Sequence, residues 1–354
     1  MGDEATGRGD GATEAPEGID APALEAWFAA QIAAAQLPLR FERIAGGHSN
    51  LTYRVSDANG RSWALRRPPL GKRLGSAHDM VREHRVVSAL GPTEVPVAPV
   101  AGLCEDEAVN GAPFYVMKFV EGPVLRGLAE AEAFPDEADR QAIGARVADT
   151  LVAIHAVDPD AIGLGELGRK EDYVARQLRR WQGQWEGSKT RELEAVDRVH
   201  EKLAERIPAQ GPATIVHGDY RLDNMILTPS GEVAAVVDWE LCTLGDPLAD
   251  LGLLMVYWAD ADEENPIGLG QPANLAPGFP TREELAARYA ERSGRDISQL
   301  DFYLALGYWK LAIIIEGVYA RYVAGGLGKV DDGVEYFARL VERLAEEAER
   351  VVER

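Results

Sequence analysis

The chain has 354 residues, 46% of them hydrophobic and 27% charged, which is enough apolar material for a sizeable core in more than one domain. Lys plus Arg number 37 against 58 for Asp plus Glu, so the formal charge is −21. A surface that acidic repels phosphate backbones and anionic lipid, which excludes nucleic acid and membrane surfaces as main partners but not a local basic pocket for a small phosphate.

Residues 1–20 are mostly Gly, Ala, Glu, Asp and Thr, which predicts a disordered acidic tail. Met1-Gly2 with Thr6 fits the loose myristoylation pattern, and its acidic surroundings favour a plain solvated tail. The stretch lacks the basic start and apolar run of a signal peptide. Leu24, Trp27, Phe28 and Ile32 then fall on one face of a helix. Two β-prone runs, Leu51–Val55 and Ser62–Leu65, flank Asp57-Ala58-Asn59-Gly60, and Asn-Gly is a strong hairpin signal. Pro68-Pro69 ends the second strand. His78–Leu90 carries Val81, His84, Val87 and Leu90 at helical spacing, and strand-like runs follow around Val97–Leu103 and Phe114–Val120.

Beyond residue 130 the pattern is mostly helical, at Gln141–Val157, Tyr173–Trp185, Leu193–Ile207, Leu304–Tyr322 and Val334–Val352. A β-rich island interrupts it at Thr214–Val216, Met225–Leu227 and Val233–Val237. Residues 261–280 read as a long loop rich in Pro, Gly and Asn. The expected class is α+β: a tail at 1–20, a β-rich unit at 21–120 and a helical unit at 121–354. Two cysteines, Cys104 and Cys242, are too few for a disulfide framework or a cysteine zinc site, and a reducing, cytoplasmic setting is expected. No uninterrupted apolar run reaches bilayer length, because Glu316 breaks the densest late stretch.

The chemistry concentrates in the β-rich island. His217-Gly218-Asp219-Tyr220-Arg221-Leu222-Asp223-Asn224 is followed by Val236-Val237-Asp238-Trp239-Glu240. A hairpin-sized segment separates Asn224 from Asp238, so Asp219, Asn224 and Asp238 can converge into an oxygen cluster suited to a hard cation such as Mg²⁺. The spacing matches the phosphoryl-transfer pattern H-x-D-x-x-x-x-N with a later Asp. In that pattern the first Asp accepts the proton of the substrate hydroxyl. The Asn and the later Asp hold the metal at the nucleotide phosphates. Gly163-Leu164-Gly165-Glu166-Leu167-Gly168 matches G-x-G-x-x-G but follows a helix, so the dinucleotide context is missing.

These motifs, with Leu244-Gly245-Asp246-Pro247-Leu248-Ala249-Asp250-Leu251, resemble the aminoglycoside phosphotransferase-like branch of the protein kinase-like superfamily. The wording is most similar to the kinase-like domain fused to some acyl-CoA dehydrogenases. The resemblance spans roughly residues 25–325. It implies a two-lobe fold, with a small antiparallel β N-lobe and a mostly helical C-lobe. It also implies ATP as donor, GTP not being excluded, with Mg²⁺ as cofactor and a small-molecule hydroxyl as acceptor.

Residue by residue, the resemblance makes Asp219 the base and Asn224 and Asp238 the metal ligands. Gly46-Gly47-His48-Ser49-Asn50 would cover the phosphates, with Gly47, Ser49 and Asn50 in contact. Arg66 stands where the superfamily has a Lys, with Glu83 as its partner and Arg67 and Lys72 as rival cations. Met117–Glu121, including Met117 and Phe119, would be the hinge offering backbone groups to adenine. Asp246 and Asp250 are expected to be structural, His155 a core histidine, and His217 an orienting group. Trp181, Trp185, Tyr257, Trp258, Trp309 and Tyr319 lie where the family shapes its acceptor pocket, at spacings that equally suit a core. The acceptor implied is a hydroxyacyl-CoA-type metabolite. The alternatives are an aminoglycoside or other antibiotic, or a kinase-like nucleotide-binding scaffold of weak activity.

Overall fold

The computed structural model describes residues 15–44, 50–70, 79–260, 271–325 and 332–354. The chain forms two compact units, Met1–Arg85 with Pro99–Phe119 and Val86–Ala98 with Val120–Arg354. The sequence predicts one break after residue 120, whereas Val86–Ala98 groups with the second unit, where the Val236 amide donates to the Pro96 carbonyl at 2.8 Å.

The first unit contains α1 (Ala21–Gln31), β1 (Arg40–Arg43), β2 (Leu51–Ser56), β3 (Ser62–Arg67), the start of α2 (Met80–Leu90), β4 (Val100–Cys104), α3 (Glu107–Asn110) and β5 (Phe114–Lys118). The strands form one antiparallel sheet in the order β1-β2-β3-β5-β4. β2 alternates as its period-2 pattern demands, burying Leu51, Tyr53 and Val55. Asp57 closes the β2–β3 turn by accepting from the amides of Asn59 (2.9 Å) and Arg61 (2.8 Å), and Gly60 takes the left-handed φ of +78°. α1 starts at Asp20, whose side chain caps the Ala23 amide at 3.1 Å, and buries Leu24 and Phe28 against the sheet.

Three details differ from the expectation. The end of the expected tail is held to the sheet, because the Tyr53 hydroxyl donates to the Glu17 carbonyl at 2.5 Å and Arg67 donates to the Gly18 carbonyl. Residues 1–14 lie outside the described residues. β1 went unseen because Arg-Phe-Glu-Arg has no β-branched residue and sits on a sheet edge. α2 buries Met80, Glu83, Val86, Val87 and Leu90 while Val81 is exposed, which places Glu83 on the inner face.

The second unit contains α4 (Glu137–Ala156), α5 (Tyr173–Ser188), α6 (Glu194–Glu205), β6 (Thr214–Val216), β7 (Met225–Leu227), β8 (Val233–Val236), β9 (Thr243–Gly245), α7 (Leu248–Tyr257), α8 (Arg282–Ser293), α9 (Leu300–Val323) and α10 (Asp332–Val352). β6 pairs with β9 and β7 with β8, both antiparallel. Helices α5, α6, α9 and α10 share one core that includes Trp185, Val196, Trp309 and Leu344. α7 crosses α9 closely: a Cβ on Gly252 would stand 2.5 Å from the Tyr303 carbonyl, so only glycine fits there. α9 is long and apolar enough to cross a bilayer by length and composition, a feature that the search for an uninterrupted run missed. Most of that stretch is buried within the unit, with Glu316 buried and accepting from the Thr190 amide and hydroxyl at 2.8 and 2.7 Å.

Candidate functional site

β6 carries the chain from the core to a polar loop at 217–221, a 3-10 turn at Leu222–Asn224 and the β7–β8 hairpin. His217 ties the two ends of this segment together. Its Nε2 lies 3.1 Å from the Val237 carbonyl and must donate, so its Nδ1 accepts from the Asp219 amide at 3.2 Å. The imidazole is packed 4.6 Å from the Trp239 ring. Both of its nitrogens are committed to backbone groups, which makes it an orienting residue. The Tyr220 hydroxyl donates to the Val147 carbonyl of α4 at 2.7 Å and anchors the loop from below.

Two of the predicted trio, Asp219 and Asn224, meet directly. Asn224 Nδ2 donates to the Asp219 carbonyl at 2.8 Å and to the Asp219 carboxylate at 2.9 Å. Both amide protons are thereby used on Asp219, and Oδ1 is left as the acceptor end. The Asn224 carbonyl accepts from the Val237 amide at 2.9 Å, which returns the hairpin so that Asp238 follows directly. Asp238 has φ +67°, a left-handed conformation that Asp tolerates better than most side chains. Arg221 lies between the carboxylates of Asp219 (3.4 Å) and Asp223 (3.1 Å), with its guanidinium 4.9 Å from the Tyr257 ring centre. Burial raises the pKa of Asp223, and Arg221 opposes the rise.

Behind the loop, Asp250 at the start of α7 is 1% exposed and accepts from the amides of His217 (2.6 Å) and Gly218 (2.8 Å). His155 of α4, 2% exposed, completes the shell with Nε2 at 3.3 Å from Asp250 and Nδ1 at 2.8 Å from the Tyr289 hydroxyl. Burial raises the pKa of Asp250, but the hydrogen bond from His155 and the Gly218 amide more than reverse this, leaving it low. Burial lowers the pKa of His155 despite Asp250, so the ring is a neutral donor to Asp250 and an acceptor from Tyr289. His155 is therefore a buried support of the loop, a role that no local motif signals.

The sign of the linkage gives a test. Below pH 6.5 the unfolded chain protonates a histidine that the folded chain keeps neutral, so stability falls as pH drops toward the lowered folded value. His84, also lowered by burial, acts with the same sign. Urea unfolding at a series of pH values should show stability declining below pH 6.5 by up to about 1.4 kcal/mol per pH unit for each such histidine, with a shallower decline in His155→Gln.

In the first unit, Arg66 Nε lies 3.0 Å from Glu83 Oε2, and Glu83 is 2% exposed, so this predicted pair is formed. The rival Arg67 is engaged at Gly18, and Lys72 lies outside the described residues. Gly47 and Ser49 also lie outside them, while Asn50 is buried just before β2. Met117 sits within β5 opposite Ala64 and Val100. The Phe119 amide donates to the Ser62 carbonyl at 3.2 Å, so this N–H is spent within the first unit.

Among the aromatics singled out, Trp185, Trp258 and Trp309 are fully buried core residues. Tyr257 faces Arg221, Tyr319 underlies Arg191, and Trp181 lines a cavity with Lys310, which sequence reading did not single out. The G-x-G-x-x-G match lies in turns after α4, with no strand before it.

Comparison with known proteins agrees with this geometry. The model of a phosphotransferase enzyme family (APH) matches residues 40–303. Acyl-CoA dehydrogenase family member 10 of Mus musculus is 35% identical over 312 residues, covering 87% of this chain but 29% of that protein, so the chain spans under a third of that relative's length. A candidate aminoglycoside phosphotransferase of Ralstonia eutropha JMP134 is 34% identical, with a TM-score of 0.79 over 94% of this chain and 98% of that one. The fold is shared with aminoglycoside phosphotransferase APH(4)-Ia, solved with AMP-PNP and hygromycin B, at 17% identity and a TM-score of 0.57 over 88% of this chain and 94% of that one. A β-sheet unit, a helical unit and the 217–238 loop and hairpin thus give an α+β, protein kinase-like fold, and the chain belongs to the phosphotransferase enzyme family.

Proposed function

We propose that the chain transfers the γ-phosphoryl group of ATP to a hydroxyl of a small molecule. The observation that carries this reading is the double donation from Asn224 to Asp219, which holds a carboxylate and an amide oxygen side by side. Asp219 orients the acceptor hydroxyl and takes its proton. Arg221, 3.4 Å from that carboxylate, helps to hold it in place. Arg66, held by Glu83, is assigned to the nucleotide phosphates.

The donor set suits Mg²⁺. Asn224 presents its Oδ1 because its nitrogen is spent, and Asp238 adds a carboxylate on the returning hairpin. Among the described residues no three His, Cys, Asp or Glu side chains gather into a protein-only metal cage. Two protein oxygens with phosphate oxygens and water are what Mg²⁺ ordinarily takes in such sites. When bound, it neutralises charge on the β- and γ-phosphates. Asp238→Ala should weaken nucleotide binding in the presence of Mg²⁺ by at least about tenfold, with little change in its absence, as measured by calorimetry.

The acceptor we favour is a hydroxyacyl-CoA-type metabolite. This rests on the likeness to acyl-CoA dehydrogenase family member 10, while the candidate aminoglycoside phosphotransferase supports an antibiotic acceptor as the second reading. A coupled nucleotide-turnover screen over aminoglycosides, macrolides, sugars and hydroxyacyl-CoA compounds tests both. Turnover confined to one class assigns the acceptor. Nucleotide binding without transfer to any of them overturns the enzyme reading in favour of a scaffold.

A further inference from the structure

A cavity in the second unit has among its lining residues Gln177 and Trp181 of α5, Gly218 of the loop, Asp250 of α7, whose carboxylate is turned to the His217 and Gly218 amides, and Tyr303 and Lys310 of α9. Lys310 is half-buried there, with Nζ 3.0 Å from the Gly218 carbonyl and 5.5 Å from the Trp181 ring centre. An ammonium has three N–H donors. Among the described residues Lys310 uses one of them on a protein oxygen. Among the described residues no carboxylate lies within ion-pair distance of it, although the charges of Asp219 and Asp250 reach it. Gln177 is similar: its Oε1 accepts from the Trp181 indole at 3.0 Å, and its amide N–H groups have no protein acceptor among the described residues. Burying a cation with unspent donors costs free energy, and the cost is recovered if a ligand oxygen completes its shell.

The position of this cation is specific, because it grips the carbonyl of the residue directly before Asp219. A group bound to Lys310 therefore lies beside the main chain that leads directly into Asp219. A polycationic acceptor would meet a like charge there, and an anionic or carbonyl-bearing one would meet a donor. We propose that Lys310 is a specificity-determining residue whose ammonium holds a carboxylate or acyl-carbonyl oxygen of the acceptor, with Gln177 as a second donor. This rests on the phosphotransferase reading above and adds to it the residue that selects the acceptor.

The test uses the full chain and three probes: the isomeric hydroxybutanoates, their CoA thioesters and the matching butanediols, which keep the hydroxyl but lack the acyl oxygen. Binding is measured by calorimetry and transfer by phosphate incorporation from Mg-ATP. Wild type should bind the acids or thioesters over the diols by about tenfold or more, the size of one hydrogen bond to a charged group. Lys310→Met should bring that ratio close to one by raising KM for the acyl compounds, and Lys310→Arg should retain part of the preference. Tighter thioester binding places the acyl carbonyl on Lys310, and tighter free-acid binding places a carboxylate there; either supports the proposal. Equal binding of diols by wild type, or an unchanged preference in Lys310→Met, overturns it. The wild-type comparison decides even if a variant fails to fold. Binding with the expected preference but no transfer would sink the phosphotransferase reading and leave the role of Lys310 standing.

Discussion

Asp219→Asn should lower phosphoryl transfer by about 10²–10⁴-fold, the usual contribution of a positioned general base, with nucleotide affinity nearly unchanged. The substitution is close to isosteric. An amide oxygen at position 219 can still accept from Asn224 Nδ2, and the Asp219 main-chain carbonyl keeps its own bond at 2.8 Å. Arg221 retains Asp223 at 3.1 Å when its partner at position 219 becomes neutral. The loop is thus preserved while the proton acceptor is lost, and the loss should appear in kcat with little movement of KM. Steady-state kinetics on the acceptor found by the screen, together with nucleotide calorimetry, separates these quantities. Transfer at the wild-type rate would remove Asp219 as the base.

Asp250→Ala should be the most damaging change to stability, at about 3–5 kcal/mol, the range for deleting one partner of a buried charged network. The alanine leaves the His217 and Gly218 amides and His155 Nε2 without an acceptor in the interior. Asp250→Asn should cost less, because its one carbonyl can satisfy one of the two amides while its NH₂ faces the other. Urea unfolding followed by tryptophan fluorescence would rank the three proteins. The same order should hold for kcat, because Asp250 fixes the backbone on which Asp219 stands. A wild-type midpoint in Asp250→Ala would show that water replaces the carboxylate without cost.

The local parts of this molecule were legible in its sequence, and the distant ones were not. The β2–β3 and β7–β8 hairpins announce themselves through Asn59-Gly60 and Ser230-Gly231 between apolar runs. Asp219 and Asn224 are five residues apart, so one loop conformation brings them together, and the hairpin carries Asp238 back. His155 and Asp250 are 95 residues apart and meet only through the packing of α4 and α7 beneath the loop. Nothing in the neighbourhood of either residue encodes that contact. Lys310 is hidden for a related reason: one lysine in an apolar helix normally reads as a solvent-facing residue, and only the placement of α9 beside Gly218 turns it inward. β9, three residues long, exists because β6 offers it an edge.

The composition of α9 has a consequence for biosynthesis. As the chain leaves the ribosome, α9 emerges before α10 is complete, with the flank that α10 later covers exposed to solvent. A nascent segment of this length and hydropathy meets the length and composition requirement for crossing a bilayer. Lys310, next to the middle of α9, opposes that fate, since a lysine at the centre of an inserting helix costs about 2.5–3.5 kcal/mol, and Glu316 adds a second charge about one and a half turns on. The carboxylate that accepts two hydrogen bonds from Thr190 in the folded chain thus counts, together with Lys310, against insertion before the neighbours of α9 arrive.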